Sequence, residues 1–540
     1  MKRVLNISLL LMLGILIVFP AMKTLLVSFQ TDQGVSFANY EYLFKTPGSL
    51  NAISNTLLLG FLTVLICGAV GTFLAFFVHY FDFPFRNILD KVLMLPLVVP
   101  GLIIVFAFVQ LYGESGLVTK TIENLFSMGG PLYHFSGLGG ILFIHACTQY
   151  IYFYINVSIA IKQLDRSVIE ASVNLGASTW KVFKTIILPY IMPALISSSI
   201  LTFMTGIGSF SAPSIIGGNF KVLTTQVLLS KATMNLDLAA AQVIVLCFFA
   251  LSYLAIASYY GKKSSFMSSI KGLPIEHVKI GNPFLKGTMS LTAIIIVLMI
   301  VLPIFTIVFL SFVKPGTWMV DIYPRAFNLG NYINLFSNSR VFAPFANSIK
   351  MASIAALATI GVAIPASYVL TKTQSRTNPI LEFMVMLPFA LPASAIAINM
   401  INGFSSTLLG TWIFLPLAYF VSLVPLAVRS VRLSYERLQN EFGEASQNLG
   451  ATRLQTFINI TFPLIAPGVW AGFLLVFIRS LGEYTISVLL YTASNKPISI
   501  AMVNSMYAFD IGLAMAYGAL VLAITFIGTS LIKNLQTFLK

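Results

Sequence analysis

Twelve separate stretches of this chain stay apolar for about 20 residues, the length a helix needs to cross a bilayer, and nothing else constrains the fold as strongly. They fall near 4–22, 52–78, 92–112, 138–161, 190–212 and 238–260. After a polar interval they recur near 289–313, 346–370, 380–402, 409–428, 464–490 and 512–532. Inside lipid a backbone must satisfy its own hydrogen bonds, so runs of this length read as helices. Composition agrees, with 57% of residues hydrophobic and 9% charged, against about 25% charged in a soluble domain. The expectation is an all-α polytopic membrane protein of about twelve transmembrane helices. The first stretch follows Lys2 and Arg3 but has no clear small-x-small cleavage site, so it reads as a retained anchor.

A formal charge of +15 does not point to nucleic acid, because the basic residues follow the topology. With the N-terminus inside, about 21 of the 32 lysines and arginines fall on inner segments, as the positive-inside rule requires. These are Lys2, Arg3, Arg86, Lys91, Lys162, Arg166, Lys181, Lys184, Lys262, Lys263, Lys271, Lys279 and Lys286, then Lys372, Arg376, Arg429, Arg432, Arg437, Arg453, Lys533 and Lys540. Both termini are therefore expected in the cytoplasm.

The two sets of six spans are copies of one plan. Asn39-Tyr40 and Leu43-Phe44 match Asn331-Tyr332 and Leu335-Phe336, and Asn55 matches Asn347. Met94-Leu95-Pro96 with Pro100 matches Met386-Leu387-Pro388 with Pro392. Pro193 matches Pro467, and Gly208-Ser209-Phe210 matches Gly482-Glu483-Tyr484. The offset is 292 early and 274 late, which leaves 18 extra residues in the first half around Gly113–Gly140. Equal orientation of the halves predicts a parallel repeat with a pseudo-two-fold axis along the membrane normal. The domains read as a first half at 1–260, a polar cytoplasmic linker at 261–287 containing Pro274 and Pro283, and a second half at 288–540.

One polar stretch is written twice. Glu170-Ala171-Ser172-Val173-Asn174-Leu175-Gly176-Ala177-Ser178 returns as Glu444-Ala445-Ser446-Gln447-Asn448-Leu449-Gly450-Ala451-Thr452. Each reads as two short helices joined at a glycine, within loops 165–189 and 440–463. Asp165 or Asn440 is placed to cap the first helix, and Ser178 or Thr452 the second. Gly176 or Gly450 supplies a left-handed residue, and Pro189 or Pro463 is expected to limit the second helix. A single copy is explained by an ordinary capped loop. Two copies at matched places on the inner side are not.

The pattern E-A-A-x-x-x-G-x(9)-I-x-L-P on a cytoplasmic loop is the signature of the membrane subunits of bacterial binding-protein-dependent ABC importers. Residues 170–189 resemble it with Ser172 in place of the second alanine, and residues 444–463 with Ser446 and Phe462. The resemblance covers most of each half and implies two tandem six-helix permease repeats in the bacterial inner membrane. It further implies that Glu170, Ala171, Ser172 and Gly176, with Glu444, Ala445, Ser446 and Gly450, dock on two copies of a cytoplasmic ABC ATPase subunit. An extracytoplasmic solute-binding protein would deliver cargo, and lipid would surround the spans. The fused build resembles ferric-iron permeases, and also thiamine and aminoethylphosphonate permeases. Separate-chain relatives carry sulfate, molybdate and polyamines.

For the translocation path, Arg479 and Glu483 are four apart and expected to pair on one helix face, and Ser209 holds the place of Glu483 in the first half. Arg479-Ser480-Leu481-Gly482-Glu483-Tyr484 resembles the R-x-L-G-E-F stretch of sulfate and molybdate permeases. An intrahelical structural pair explains these charges as well as a cavity lining does. His79 and His145 read as lying at span ends or hydrogen-bonded within the bundle rather than as functional groups. Gly206, Gly208, Gly217 and Gly218 with Pro213 suggest a broken or flexible end after the fifth span, which suits a gate and equally suits simple helix packing. Cys67, Cys147 and Cys247 stand singly in apolar runs, the four histidines lack ligand spacing, and no G-x-x-x-x-G-K-[ST] occurs. No catalytic residue, metal or cofactor is therefore expected in this chain, and ATP hydrolysis is assigned to the partner. An ion-coupled secondary transporter also permits six plus six spans but leaves the doubled loop unexplained. A membrane-embedded enzyme would need a polar catalytic cluster.

Overall fold

The computed structural model describes residues 2–31, 34–83, 86–127, 130, 133–264, 278, 279, 281–318 and 322–537. Among them, eleven helices are long and apolar enough to cross a membrane, or twelve when a bent pair is counted as one broken span. Spans 1 to 6 are Val4–Val27, Pro47–Tyr80, Gly101–Leu125, Gly137–Lys162, Thr179–Ile216 and Leu236–Gly261. Spans 7 and 8 are Pro283–Ser311 and Ser339–Lys372. Span 9 is Asn378–Ala390 plus Ala393–Phe404, bent by 114°. Spans 10 to 12 are Phe414–Arg437, Arg453–Leu481 and Ile511–Leu531. The protein is an all-α polytopic membrane protein, and each apolar stretch of the sequence answers to one of these helices or to the bent pair.

Prolines set the irregularities. Pro100 and Pro392 are extended, at φ −61° and −58°, and each restricts the residue before it. Span 9 is therefore broken at Pro392, and span 3 starts directly after Pro100 at the equivalent place. Pro189 and Pro463 do something different from the expected termination. Each lies two residues beyond a π-turn, Phe183–Ile187 or Phe457–Thr461, and the helix then runs on as Leu188–Ile207 or Phe462–Leu481. A wider turn absorbs the missing N–H and the ring that would strike the preceding carbonyl. Gly14–Val18 does the same before Pro20.

The hydrophobic cores do not respect the boundary between the halves. One core joins Leu59 through Ile216, from spans 2–5, to Ile300, Ile304 and Ile307 of span 7 and Ala514, Met515 and Val521 of span 12. The other joins Met351 through Leu490, from spans 8–11, to Leu9, Leu13 and Ile17 of span 1 and Ala239, Val243 and Cys247 of span 6. Each half thus lends its first and last spans to the other. Because lipid tails are as apolar as leucine, such contacts hold through close packing and hydrogen bonds rather than through expulsion of water. Asn402 Nδ2 donates to Thr24 Oγ1 at 3.2 Å, Phe19 packs on Phe404, and a Cβ on Gly403 would sit 2.8 Å from Pro20.

The residue matches noticed in sequence make matching bonds. Asn39 Nδ2 donates to the carbonyls of Ser28 and Gln30, and Asn331 Nδ2 to those of Ser311 and Val313. Tyr40 meets Ser28, and Tyr332 meets Ser311, each at 2.7 Å. Asn55 Nδ2 donates to Lys221 O, and Asn347 Nδ2 to Ser494 O and Lys496 O. The extra segment of the first half carries a helix, Leu117–Leu125, and Thr121 meets the Tyr323 hydroxyl of the other half at 2.7 Å.

Residues 265–277 and 280 of the 261–287 connector, with Lys271 and Pro274, lie outside the described residues, as does Lys540. The same holds for the side chains of Lys2, Arg3, Lys262, Lys263, Lys279, Asn440 and Lys533. Val278–Lys279 pairs in parallel with Phe81–Asp82 at the end of span 2.

Candidate coupling elbows and the axial contact

Both repeated stretches fold as helix–glycine–helix. The first has helices Arg166–Asn174 and Thr179–Val182, the second Asn440–Asn448 and Arg453–Thr456. Gly176 and Gly450 take φ of +80° and +89°, a region costly for any residue with a Cβ. The bonds around them are the same. Gly176 N–H donates to Val173 O and Ala177 N–H to Ser172 O, while Gly450 donates to Gln447 O and Ala451 to Ser446 O. This crossed pair is a Schellman closure, which satisfies carbonyls a helix end would otherwise leave open.

Caps differ between the copies. Asp165 accepts from Ser167 N–H, and Ser178 from Lys181 N–H, as expected. Thr452 forms a reciprocal capping box with Gln455. Asn440, expected as the cap of the first helix of the second elbow, is instead its first helical residue, and Gln439 holds the cap position without a side-chain bond. The single-residue shift follows from extended backbone at Gln439, ψ 138°.

Glu170, Ala171, Gly176, Glu444, Ala445 and Gly450 are exposed, and Ser172 and Ser446 are half-buried. Glu170 pairs with Arg166 one turn earlier, whereas Ser446 Oγ meets Thr456 Oγ1 at 3.1 Å and braces its elbow internally. Sequence reasoning passed over the apolar residues beside the glycines. Leu175 is 88% and Leu449 is 89% exposed, accompanied by Val173 and Trp180 in one copy and Phe442 and Leu454 in the other. Large apolar side chains held out on a polar turn are the kind of exposed apolar surface that suits a partner. Their signal was the match itself, a leucine before each glycine.

The second constellation lies where the halves meet. Span 5 breaks at Gly208 and resumes as Ser211–Ile216, and span 11 ends at Leu481 before Thr485–Leu490. Phe210 and Tyr484, equivalent residues, pack against each other with tilted rings and centroids 5.4 Å apart, so they mark the pseudo-two-fold axis. Gly482 lies against Pro100 of the opposite half, where an added Cβ would come within 2.4 Å, and Gly208 faces Pro392.

The expected Arg479–Glu483 pair does not form. The helix stops at Leu481, so residues 479 and 483 share no helical face. Glu483 instead closes the N-terminus of Thr485–Leu490. Oε1 accepts from Ile486 N–H at 2.8 Å, and Oε2 from Ser487 N–H at 2.9 Å and Ser487 Oγ at 3.1 Å. A carboxylate is favoured there by the orphan amides and the helix dipole. Ser487 also meets the Tyr419 hydroxyl. In the first half, Ser209 Oγ meets His145 Nε2 at 3.0 Å, and His145 Nδ1 meets Thr63 at 2.8 Å, as expected for a histidine held within the bundle. His79 lies beside Tyr154 and Asp90. Arg479 is exposed and has no ion pair among the described residues.

Replacing Glu483 with alanine is expected to cost about 1–3 kcal/mol, because it strands both buried amides, whereas Glu483→Gln keeps one acceptor oxygen for one of them and is expected to lose less, its NH2 group being unable to accept from the other. Thermal unfolding of the purified variants in detergent measures the difference. Equal loss from both would contradict the capping role.

The two exposed helix–glycine–helix elbows, one in each half of a duplicated helical bundle, are the repeated polar feature of a polytopic membrane subunit. The sequence matches the family described as "Binding-protein-dependent transport system inner membrane component" twice, over residues 68–262 and 359–540. The chain belongs to that family and is the permease component of an ABC importer in the inner membrane, acting with ATPase and solute-binding subunits. It is 28% identical to a probable ABC transporter permease of Sinorhizobium fredii, over 87% of this chain and 85% of that one. It is 26% identical to a ferric transport system permease of Actinobacillus pleuropneumoniae, over 96% of this chain and 76% of that one. A spermidine/putrescine transport system permease of Escherichia coli is 32% identical over 37% of this chain and 78% of its own.

Proposed function

We propose that this chain forms a complete two-half translocation path for ferric iron, driven by two copies of one cytoplasmic ATPase. The observation that carries the coupling is the pair of elbows, alike in helix lengths, glycine geometry and an exposed leucine. Two near-identical handles suit two identical motors. Closure of the ATPases draws the elbows together, and the interleaved halves rock about the contact of Phe210 with Tyr484. In this reading Glu170, Ala171, Ser172 and Gly176, with Glu444, Ala445, Ser446 and Gly450, transmit the movement. Both termini and the 261–287 linker lie in the cytoplasm. Ser209, Arg479 and Glu483 stand at or near the path, Glu483 as the residue that holds its wall in place.

Ferric iron is favoured as cargo because the ferric permease relative spans both halves in one chain, whereas the polyamine relative corresponds to one half only. The test is to identify the solute retained by the binding protein that stimulates ATP hydrolysis by the reconstituted complex. Stimulation by the ferric-loaded form is expected. Stimulation by a sulfate- or polyamine-loaded form instead would remove ferric iron as the cargo.

A further inference from the structure

Resting on the reading of the elbows as the points a motor moves, we infer that Asp90 and Glu382 are positioning residues for transport. Each carboxylate straps the short helix that leads into the third span of its half to the span that runs into the elbow.

The two residues are equivalent. Ile88-Leu89-Asp90 and Ile380-Leu381-Glu382 stand 292 apart, the offset that also relates Met94-Leu95-Pro96 to Met386-Leu387-Pro388. Asp90 belongs to the helix Arg86–Leu93 and Glu382 to Asn378–Ala390. In the first half, the Tyr154 hydroxyl of span 4 donates to Asp90 Oδ1 at 2.6 Å. His79 lies beside both, with Nε2 3.4 Å from the Tyr154 hydroxyl and 3.6 Å from Asp90 Oδ1. Tyr150, one turn earlier on span 4, donates to Leu93 O at 2.6 Å. In the second half, Arg432 Nη1 of span 10 donates to Glu382 Oε1 at 2.6 Å, and its Nε donates to Glu436 Oε1 at 2.9 Å.

The groups that grip these carboxylates are not equivalent. By the later offset of 274, Tyr154 corresponds to Val428, and Arg432 to Ser158, one helical turn nearer the elbow. The carboxylate keeps its place while its partner differs in chemistry and in position. A partly exposed ion pair such as Arg432–Glu382 adds little to stability, so stability alone does not explain two separate solutions to one link. A charge-assisted bond does fix the distance and direction between two helices.

On one side of the strap is the elbow. Span 4 ends at Lys162, and Asp165 already caps the first elbow helix; span 10 ends at Arg437, and Gln439 is the cap of the other. An elbow therefore moves with its span and with almost no slack. On the other side is the seam between the halves. Arg86–Leu93 leads to Pro100, which lies against Gly482, and Asn378–Ala390 leads to Pro392, which lies against Gly208. Each elbow is thus joined to the contact of Phe210 with Tyr484 through consecutive packed elements, the kind of chain that carries coupling between distant sites.

The test uses the full chain reconstituted in liposomes with its ATPase and ferric-loaded binding protein, and two pairs of spin labels. Thr185→Cys and Asn459→Cys are exposed, equivalent positions just beyond the elbow glycines and read their approach when ATP is added. Asn219→Cys and Ala493→Cys, also exposed, follow the helices Ser211–Ile216 and Thr485–Leu490 and read the axial contact. These label readings do not depend on which cargo is carried. In Asp90→Asn with Glu382→Gln, the elbow pair is expected to close as in the wild type while the axial pair keeps its resting separation. Iron taken up per ATP hydrolysed is expected to fall about fivefold or more. Glu382→Arg alone is expected to fall as far. Adding Arg432→Glu and Glu436→Gln to it is expected to restore the ratio to within about twofold of the wild type, a rescue that re-forms the pair with its charges exchanged. A wild-type ratio in the double variant, or in Tyr154→Phe with Glu382→Gln should the former not assemble, would overturn the inference. So would equal loss of movement at both label pairs, or absence of rescue by the exchanged charges. An elbow pair that does not respond to ATP in the otherwise unaltered chain would count against the elbow reading instead.

Discussion

Leu175→Asp combined with Leu449→Asp is expected to abolish ATP-driven uptake and release the ATPase while leaving the membrane domain intact. The reasoning depends on where those side chains are. At 88% and 89% exposure they contribute almost nothing to this chain's own packing, so the change in folding stability should stay within about 0.5 kcal/mol. Buried in a partner's cleft, each leucine is worth about 1.5–3 kcal/mol. Losing both, and placing a carboxylate in each pocket, weakens docking by about 100-fold or more. Co-purification with the ATPase, uptake into liposomes and thermal unfolding give three separate readings. Glu170→Ala with Glu444→Ala is expected to uncouple uptake from hydrolysis with a smaller loss of binding, because exposed charges hold partners weakly. Full retention of ATPase and uptake by the leucine double variant would mean that the elbows are ordinary turns.

Expressed alone, neither half is expected to persist as a folded membrane protein, although the two expressed together should assemble. Residues 281–540 by themselves would leave the core of spans 8–11 without Leu9, Leu13 and Ile17 of span 1 or Val243 of span 6. Residues 1–264 would lack the isoleucines of span 7 against Leu102–Phe108. What is lost is shaped packing rather than burial from water, so lipid fills the gap poorly and polar pairs such as Asn402–Thr24 open. Size-exclusion profiles of separately and jointly produced halves measure this. Well-behaved monomers of a single half would contradict interleaved cores.

Much of this architecture was legible in the residues. Of the twelve apolar runs, eleven are long apolar helices and the run near 380–402 is a pair bent by 114°, because a bilayer leaves an apolar chain little choice but to be helical. Asn39 with Asn331, and Asn55 with Asn347, were visible as repeats and proved to make the same bonds. Interleaving was not legible, since apolar periodicity says that a helix is buried and not which half buries it. The elbows were read correctly at their glycines, where φ above zero leaves few residue choices. They were misread at Asn440 and at Pro189 and Pro463, where one residue of register or one widened turn changes the outcome. Arg479 and Glu483 look like an ion pair only if the helix continues, and Gly482 stops it. Phe210 and Tyr484 lay inside a match already noticed, but facing an axis is a property of the assembled halves.

The most direct test is the side of the membrane on which the elbows lie. Ala171→Cys and Ala445→Cys place thiols at exposed positions, and Cys67, Cys147 and Cys247 are buried and give little background. A membrane-impermeant maleimide is expected to label both engineered thiols in inverted vesicles and neither in right-side-out vesicles, with labelling blocked by bound ATPase. Labelling of either thiol from the outer face would contradict a permease driven through those two turns from the cytoplasm.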